Sequence, residues 1–432
     1  MALQGPFAVI ADHPARDVVE ALRAAGAYPI VEARWADAPA ALRARPPQAV
    51  ILAEACPDRA RASALAKALS AQAEQDADLF VPVIARTRDD TASSLPPSLP
   101  PCLADALAIA AKAPAERLVR RLTAALRVRT LHGTVLRRMR TLATRGQKLP
   151  ELPDADPLDE ARVLVAGRGR SYPGLCTATG ERVGVIGALT VEGAASALKS
   201  RDVDAMIIGE GFGTRVVEAL LTVLAEDARF RDLPVAVVGK HSAVSENFAA
   251  ALPNLERIPD GPQRVIEHLL PYIRVHAFAR RLKRMLASLD AKGAIDPDTG
   301  LLANAIFWRD LNRAVDDADK RGAALSIARF SLPAADRRTS LEAARLVGKL
   351  MRQVDFACQE ADKSIFTVFT ETDLRAAHVV TRRIASVLKN VMLTTDGKRP
   401  GSEPAVTLAT LKPSDNTDSL IARVVDEPPQ PA

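Results

Sequence analysis

Arg352 and Asp355 stand three residues apart in Arg352-Gln-Val-Asp355, and Arg383 follows in Thr381-Arg-Arg-Ile384. A guanidinium offers a rigid fork of donors and a carboxylate offers acceptors, so the trio suits recognition of a polar or anionic molecule rather than bond making. The plain alternative is a surface ion pair for the first two and a solvated helix face for Arg383, with Arg382 beside it able to exchange roles. After five intervening residues Asp355 is followed by Ala361-Asp362-Lys363-Ser364-Ile365, and upstream Arg329 and Ser331 close an apolar run.

These residues need a scaffold, and composition bounds it. At roughly 100–200 residues per domain, 432 residues hold two to four domains, and three is the working number. Hydrophobic residues at 48% and charged residues at 25% describe a globular chain with well-filled cores. The net charge of +6 permits phosphate or nucleic-acid partners, yet Lys and Arg are spread along the chain, and 4% aromatics leaves little for base stacking. Cys56, Cys102, Cys176 and Cys358 lie far apart without a CxxC pair, so neither zinc nor a disulfide framework is expected, and no cofactor is called for. No apolar run nears a membrane span, and the N-terminus enters a strand-like segment, Phe7 to Ala11, without a signal-peptide pattern; the cytoplasm is the expected location.

From residue 1 to 145, short apolar segments alternate with amphipathic helices: Phe7-Ala-Val-Ile10, a helix around Asp17 to Ala25, Ala49-Val-Ile-Leu52, a helix near Ala60 to Gln72, then Phe80 to Ile84. That alternation predicts a parallel sheet wrapped by helices. The segment resembles a response-regulator receiver, a resemblance that implies an acidic pair after the first strand and an aspartate acceptor after the third. Here Asp12 is the single carboxylate at the first place and Ala53 stands at the second, with Glu54 a weak mimic and Lys112 a candidate for the receiver lysine. The run from Ser93 to Cys102 reads as a stiff Pro-rich loop. A basic helix, Glu116 to about Arg140, closes the domain, with Leu118, Leu122, Leu126, Val135 and Met139 as its apolar positions and a charged outer face.

Residues 146 to 158 form a Pro-rich linker, and from 159 to 289 the pattern restarts with Arg162–Ala166, Val183–Ile186, Ala205–Ile208 and Val235–Val238. This second receiver-like domain places Gly209 at the acceptor position, and Gly209-Glu-Gly-Phe-Gly213 predicts a turn rather than a phosphate loop. Neither domain supplies a phosphoacceptor set. Val275, Phe278, Leu282, Met285 and Leu289 repeat at three and four, a short seam that could join a second copy or pack within the chain.

From residue 290 to 432 the chain resembles the GGDEF family of diguanylate cyclases. Asp296-Pro-Asp-Thr-Gly-Leu301 and Phe307 match that family's opening motif, while Ala303 and Asn304 depart from it. Arg329 and Ser331 occupy the two strand aspartates, of which the first binds magnesium; an arginine repels that ion. The guanine-seating loop is shortened at Leu332 to Thr339, Ala361 to Ser364 replace the signature, and the closing helix with its phosphate-binding Lys and Arg is expected to be missing. Arg352 and Asp355 match the family's RxxD inhibitory site, and Arg383 its secondary arginine.

The resemblance extends over nearly the whole chain as a PleD-type arrangement. It implies a fold of class α/β, with two tandem receiver-like, flavodoxin-like, doubly wound parallel sheets followed by a degenerate GGDEF domain of nucleotidyl-cyclase-like α+β type. It implies no catalytic or metal-binding residues, and cyclic di-GMP as ligand at Arg352, Asp355 and Arg383. Arginine forks to guanine O6 and N7 or to phosphate, and aspartate accepts from a guanine N–H. The implied role is a non-enzymatic effector in two-component and cell-cycle signalling. Through the first domain it recruits a protein partner such as an adaptor of regulated proteolysis, in the cytoplasm, the cell pole included, as a homodimer. Residual cyclase activity, a nucleotide-independent dimerisation scaffold, and nucleic-acid binding by the helix 116 to 140 are the competing expectations.

Overall fold

The computed structural model describes residues 3–431 except 76–78, 88–102, 104–105, 145, 147–149, 151, 153–154, 240–245, 259–260, 333–335, 397–403 and 426–429. The expected Pro-rich loop ending at Cys102, and parts of the 146 to 158 linker and the 332 to 339 loop, lie outside the described residues.

In the N-terminal unit, largely buried apolar runs form β1 (Gln4–Ile10), β3 (Ala49–Leu52), β4 (Val83–Thr87) and β5 (Leu107–Ala110), and β2 (Tyr28–Ala33), none of whose residues is fully buried, lies at the sheet edge. They pair in parallel, in the order β2-β1-β3-β4-β5, joined by α1 (Arg16–Ala24), α2 (Ala38–Ala44) and α3 (Arg59–Gln75) among others, and the long helix α4 (Ala115–Ala143) follows β5. The strand expected from Phe80 begins only at Val83, because Pro82 has no N–H for the ladder; its carbonyl accepts from the Val50 amide at 3.0 Å.

The middle unit repeats the plan. Strands β6 (Arg162–Ala166), β7 (Gly184–Ala188), β8 (Ala205–Ile208), β9 (Val235–Val238) and β10 (Leu255–Ile258) are parallel, in the order β10-β9-β8-β6-β7. Its helices are α5 (Tyr172–Gly180), α6 (Val191–Ser200), α7 (Thr214–Glu226) and α8 (Glu246–Ala251), with the long α9 (Pro262–Leu289) after β10. Counted from its own first strand, each sheet runs 2-1-3-4-5, the flavodoxin-like doubly wound order. The C-terminal unit differs: β11 (Leu325–Ser331), β12 (Phe356–Gln359), β13 (Ile365–Thr370), β14 (Ala405–Thr410) and β15 (Gln430–Pro431) form an antiparallel sheet in the order β12-β13-β11-β14-β15. Its helices, α10 (Asn304–Arg321), α11 (Arg337–Leu350), α12 (Leu374–Asp396) and α13 (Thr417–Val425), give a split β-α-β arrangement around β11. The chain is mixed α/β.

The two long helices, α4 and α9, tie the units together. Leu118, Leu122 and Leu126 of α4 enter the N-terminal core, whereas Leu131, Val135 and Leu142 join Leu282, Met285 and Leu289 of α9 in the core that also holds Phe307 and Phe356. The seam, for which the sequence leaves a second copy and packing within the chain both open, is used within the chain, since α4 supplies the complementary apolar face. The charged face expected on α4 is reduced to a few exposed residues, Glu116, Arg120 and Arg140, because most of its other arginines are enclosed. Arg121 is 0% exposed and donates to Glu256, to the Pro253 carbonyl and to Tyr272 Oη at 2.6 Å. Arg129 donates to the Phe80 carbonyl at 2.7 Å, and Arg138 to Asp310 at 2.9 Å and to Asp290. Burial alone would raise the Glu256 carboxyl, but Arg121, His268 and Arg117 hold it down at about 2. With these arginines enclosed, the nucleic-acid expectation for helix 116 to 140 loses its surface. Among the described residues no helix is long and apolar enough to cross a membrane.

Candidate ligand site at the Arg352 turn

Helix α11 is capped by the Asp336 carboxylate, which accepts from the Thr339 amide at 2.7 Å, and it ends at Leu350 just before the turn. The turn closes with the Asp355 amide on the Arg352 carbonyl at 3.0 Å and passes directly into β12. Arg352 is exposed, but Asp355 points inward and is 8% exposed. Its Oδ1 accepts from the Thr370 amide at 3.1 Å, and the Thr370 hydroxyl donates to the Val354 carbonyl at 3.2 Å. Burial pushes the Asp355 carboxyl up to about 6, against the pull of Arg352 and the Thr370 bond. The surface ion pair that would explain the spacing plainly is not formed.

Arg383 reaches the same place from α12. Its guanidinium donates to the Leu350 carbonyl at 3.3 Å, two residues before Arg352, and stays exposed. The structure thus brings Arg352 and Arg383 to one end of the C-terminal sheet with Asp355 behind them. The turn borders a cavity of about 690 Å³ whose other walls come from α4, α9 and the middle unit, Arg127, Arg280 and Lys283 among them. Two further residues line it that the sequence did not single out, Thr130 of α4 and Glu371, which follows β13 with a φ of 48°. Neither has a local sequence signal, because they meet across 241 residues.

At the other end of β12 the segment 361 to 365 is bonded within itself and to Arg329. The hairpin turns through Lys363 in the left-handed region, with a φ of 67°, so the turn forms without glycine. Arg329 donates to Asp362 at 2.7 Å, and Asp362 accepts from the Ser364 amide at 2.9 Å and its hydroxyl at 2.6 Å. Glu360 accepts from Asn304 at 2.5 Å and from Trp308 at 2.9 Å. The opening motif shapes the backbone that leads into this sheet. Asp296 Oδ1 accepts from the Asp298 and Thr299 amides, and the Leu302 amide bonds the Ala357 carbonyl on β12. The closing helix expected to be missing is present as α13, with Leu420 and Val424 buried and Arg423 paired with Asp415.

The C-terminal ends of the parallel strands in the first two units are tied as well. Glu54 accepts from the Asp12 and His13 amides at 3.1 and 3.2 Å and from the His13 ring at 2.9 Å, while Arg61 pairs with Asp12 at 3.1 Å. In the middle unit Gly211 has a φ of 100° inside a turn held by the Arg168 guanidinium on its carbonyl. Among the described residues no cluster of His, Cys, Asp and Glu could hold a metal ion.

No family model matches the sequence, and no curated protein matches it. Among solved structures, the coiled-coil and GGDEF domain of DgcB from Caulobacter crescentus, in complex with c-di-GMP, is 17% identical, with 34% of this chain and 83% of that one covered and a TM-score of 0.25. The FimX GGDEF domain from Pseudomonas aeruginosa is 15% identical over 30% of this chain and 88% of its own, with a TM-score of 0.27. The diguanylate cyclase SiaD with its activator SiaC, from the same organism, is 18% identical over 38% and 70%, also at 0.27. With scores this far below one half, the description of the fold rests on the strand order and register above.

Proposed function

We propose that this chain is a non-catalytic receptor for cyclic di-GMP, of the PleD-type receiver-receiver-GGDEF arrangement and most similar within it to the effector PopA. The observation that carries the reading is the meeting of exposed Arg352 and Arg383 at the Asp355 turn, beside a cavity that Arg352 lines together with Lys283 and with Arg127 and Arg280, the last two paired with aspartates. Two forks of donors suit guanine O6 and N7 or phosphate oxygens, and the turn offers an acceptor behind them. Phosphoryl transfer lacks its metal carboxylate, since Arg329 stands in that place and is paired with Asp362. A ligand that is bound and not turned over must act through a partner whose affinity depends on it, and that coupling is reciprocal. The partner is proposed to dock on the N-terminal unit, as an adaptor of regulated proteolysis would. Because the α9 seam is buried within the chain, a homodimer would have to form through another surface.

Calorimetric titration with cyclic di-GMP tests the reading. Binding by the wild type, weakened about 5- to 150-fold in Arg352→Ala, is expected. Equal binding by both moves the site elsewhere, and cyclic di-GMP made from GTP and magnesium would establish the residual cyclase instead.

A further inference from the structure

We propose that Glu371 is a further ligand contact of the Arg352 site, an acceptor for the N–H donors of a guanine edge, held in place by Thr130 of the N-terminal unit. The inference rests on the cyclic di-GMP reading above. The carboxylate named by the sequence pattern, Asp355, lies behind the turn with an oxygen already committed to the Thr370 amide. Of the carboxylates that line the cavity with Arg352, Asp232 and Asp202 are paired with Arg127 and Arg280, and Glu371, next to Thr370, comes from the C-terminal unit.

Its backbone explains why. Glu371 follows β13 with a φ of 48°, a left-handed conformation that a residue with a Cβ adopts only when its surroundings hold it there. The next link is a hydrogen bond from Thr130 Oγ1 to Glu371 Oε2 at 2.6 Å, in the range of a hydroxyl on a carboxylate. Thr130 is buried on α4, and its hydroxyl also lies 3.0 Å from the Leu126 carbonyl one helical turn back. One proton faces two acceptors, and the shorter contact to the carboxylate is the stronger. Among the described residues Thr130 is the hydrogen-bond partner of this carboxylate, so Oε2 is anchored and Oε1 is left for a donor in the cavity. Guanine presents such donors at N1 and at its exocyclic amine. A helix of the N-terminal unit would then complete a site whose arginines belong to the C-terminal unit, and ligand would be felt directly by the unit proposed to carry the output.

The test is titration of the full-length protein with cyclic di-GMP and with cyclic di-IMP, which lacks the exocyclic amine. The wild type is expected to favour cyclic di-GMP. Glu371→Gln and Thr130→Val are expected to weaken cyclic di-GMP about tenfold or more and to narrow the preference. Thr130→Ser keeps the hydroxyl and is expected to behave as wild type, whereas a role in packing alone would spare the isosteric valine and penalise the serine. Arg352→Ala should weaken binding and leave the preference standing. If Arg352→Ala loses affinity while Glu371→Gln and Thr130→Val match wild type, the role given to Glu371 is wrong and the Arg352 site survives. If the wild type binds neither dinucleotide, both fall together.

Discussion

The two ends of the short strand β12 carry the same kinds of residue and do opposite things with them. At its start, Asp355 is drawn inward by Thr370, and Arg352 is left facing outward. At its end, Asp362 faces Arg329 and the two neutralise each other at 2.7 Å. An arginine near an aspartate is therefore a site or a plug according to where the backbone sends the acid. At the start of β12 a neighbouring strand takes the carboxylate; at the hairpin the carboxylate is free to take the guanidinium.

The strongest way to break this contrast is to remove what holds both ends in place. Arg138 bonds Asp310, which is 0% exposed on α10, the helix that also sends Asn304 and Trp308 to Glu360. Arg138→Ala takes the hydrogen-bonded partner from a buried carboxylate and leaves it only Arg137, 3.9 Å away, so a loss of about 3 kcal/mol in urea unfolding is expected, taking both ends of β12 with it.

A pH titration of stability sharpens the contrast, because the two acids are shifted in opposite directions. Asp355 is raised from 3.8 to about 6, so between those values the folded state holds a proton that the unfolded state has released. Stability falls as pH rises through that window, by up to about 3 kcal/mol, and Asp355→Asn should remove the fall. Asp362 is lowered: burial would raise it, but Ser364 and Arg329 outweigh burial. Asp362→Asn should therefore cost stability at neutral pH, with the cost fading as acid protonates the wild-type group. Parallel pH profiles for the two variants would erase the distinction.

Ligand affinity comes next, with Arg352→Ala expected to lose about 1–3 kcal/mol of cyclic di-GMP binding. The smallest effect belongs to the plug. Its aspartate is half exposed, so Arg329→Ala should change stability by less than about 1 kcal/mol and leave cyclic di-GMP affinity unaltered. A large change in affinity would show that the two ends communicate.

The sequence was most legible where strands are buried on both faces. Ala49–Leu52, Arg162–Ala166, Ala205–Ile208 and Val235–Val238 are strands with those bounds, because an unbroken apolar run between turn residues has few other uses. It was least legible at edges: Tyr28–Ala33 has no fully buried residue and carries a proline, so its pattern is faint. The Arg352 turn was readable as spacing, since Arg352, Asp355 and Arg383 lie on neighbouring elements of one unit. The buried arginines of α4 and the meeting of Thr130 with Glu371 were not. The acids that Arg121 and Arg138 meet, and the carboxylate that Thr130 meets, lie more than a hundred residues away, beyond the reach of any periodicity.

That separation has a consequence for how the molecule is made. Arg138 leaves the ribosome 172 residues ahead of Asp310, and at typical elongation rates its partner arrives on the order of ten to thirty seconds later. During that interval the C-terminal half of α4 presents Leu131, Val135 and Leu142 beside Arg137 and Arg138 to the surroundings of the nascent chain. The helix that unifies the finished protein is thus its most vulnerable segment at birth, and a stall in translation between residues 145 and 310 would hold it in that state.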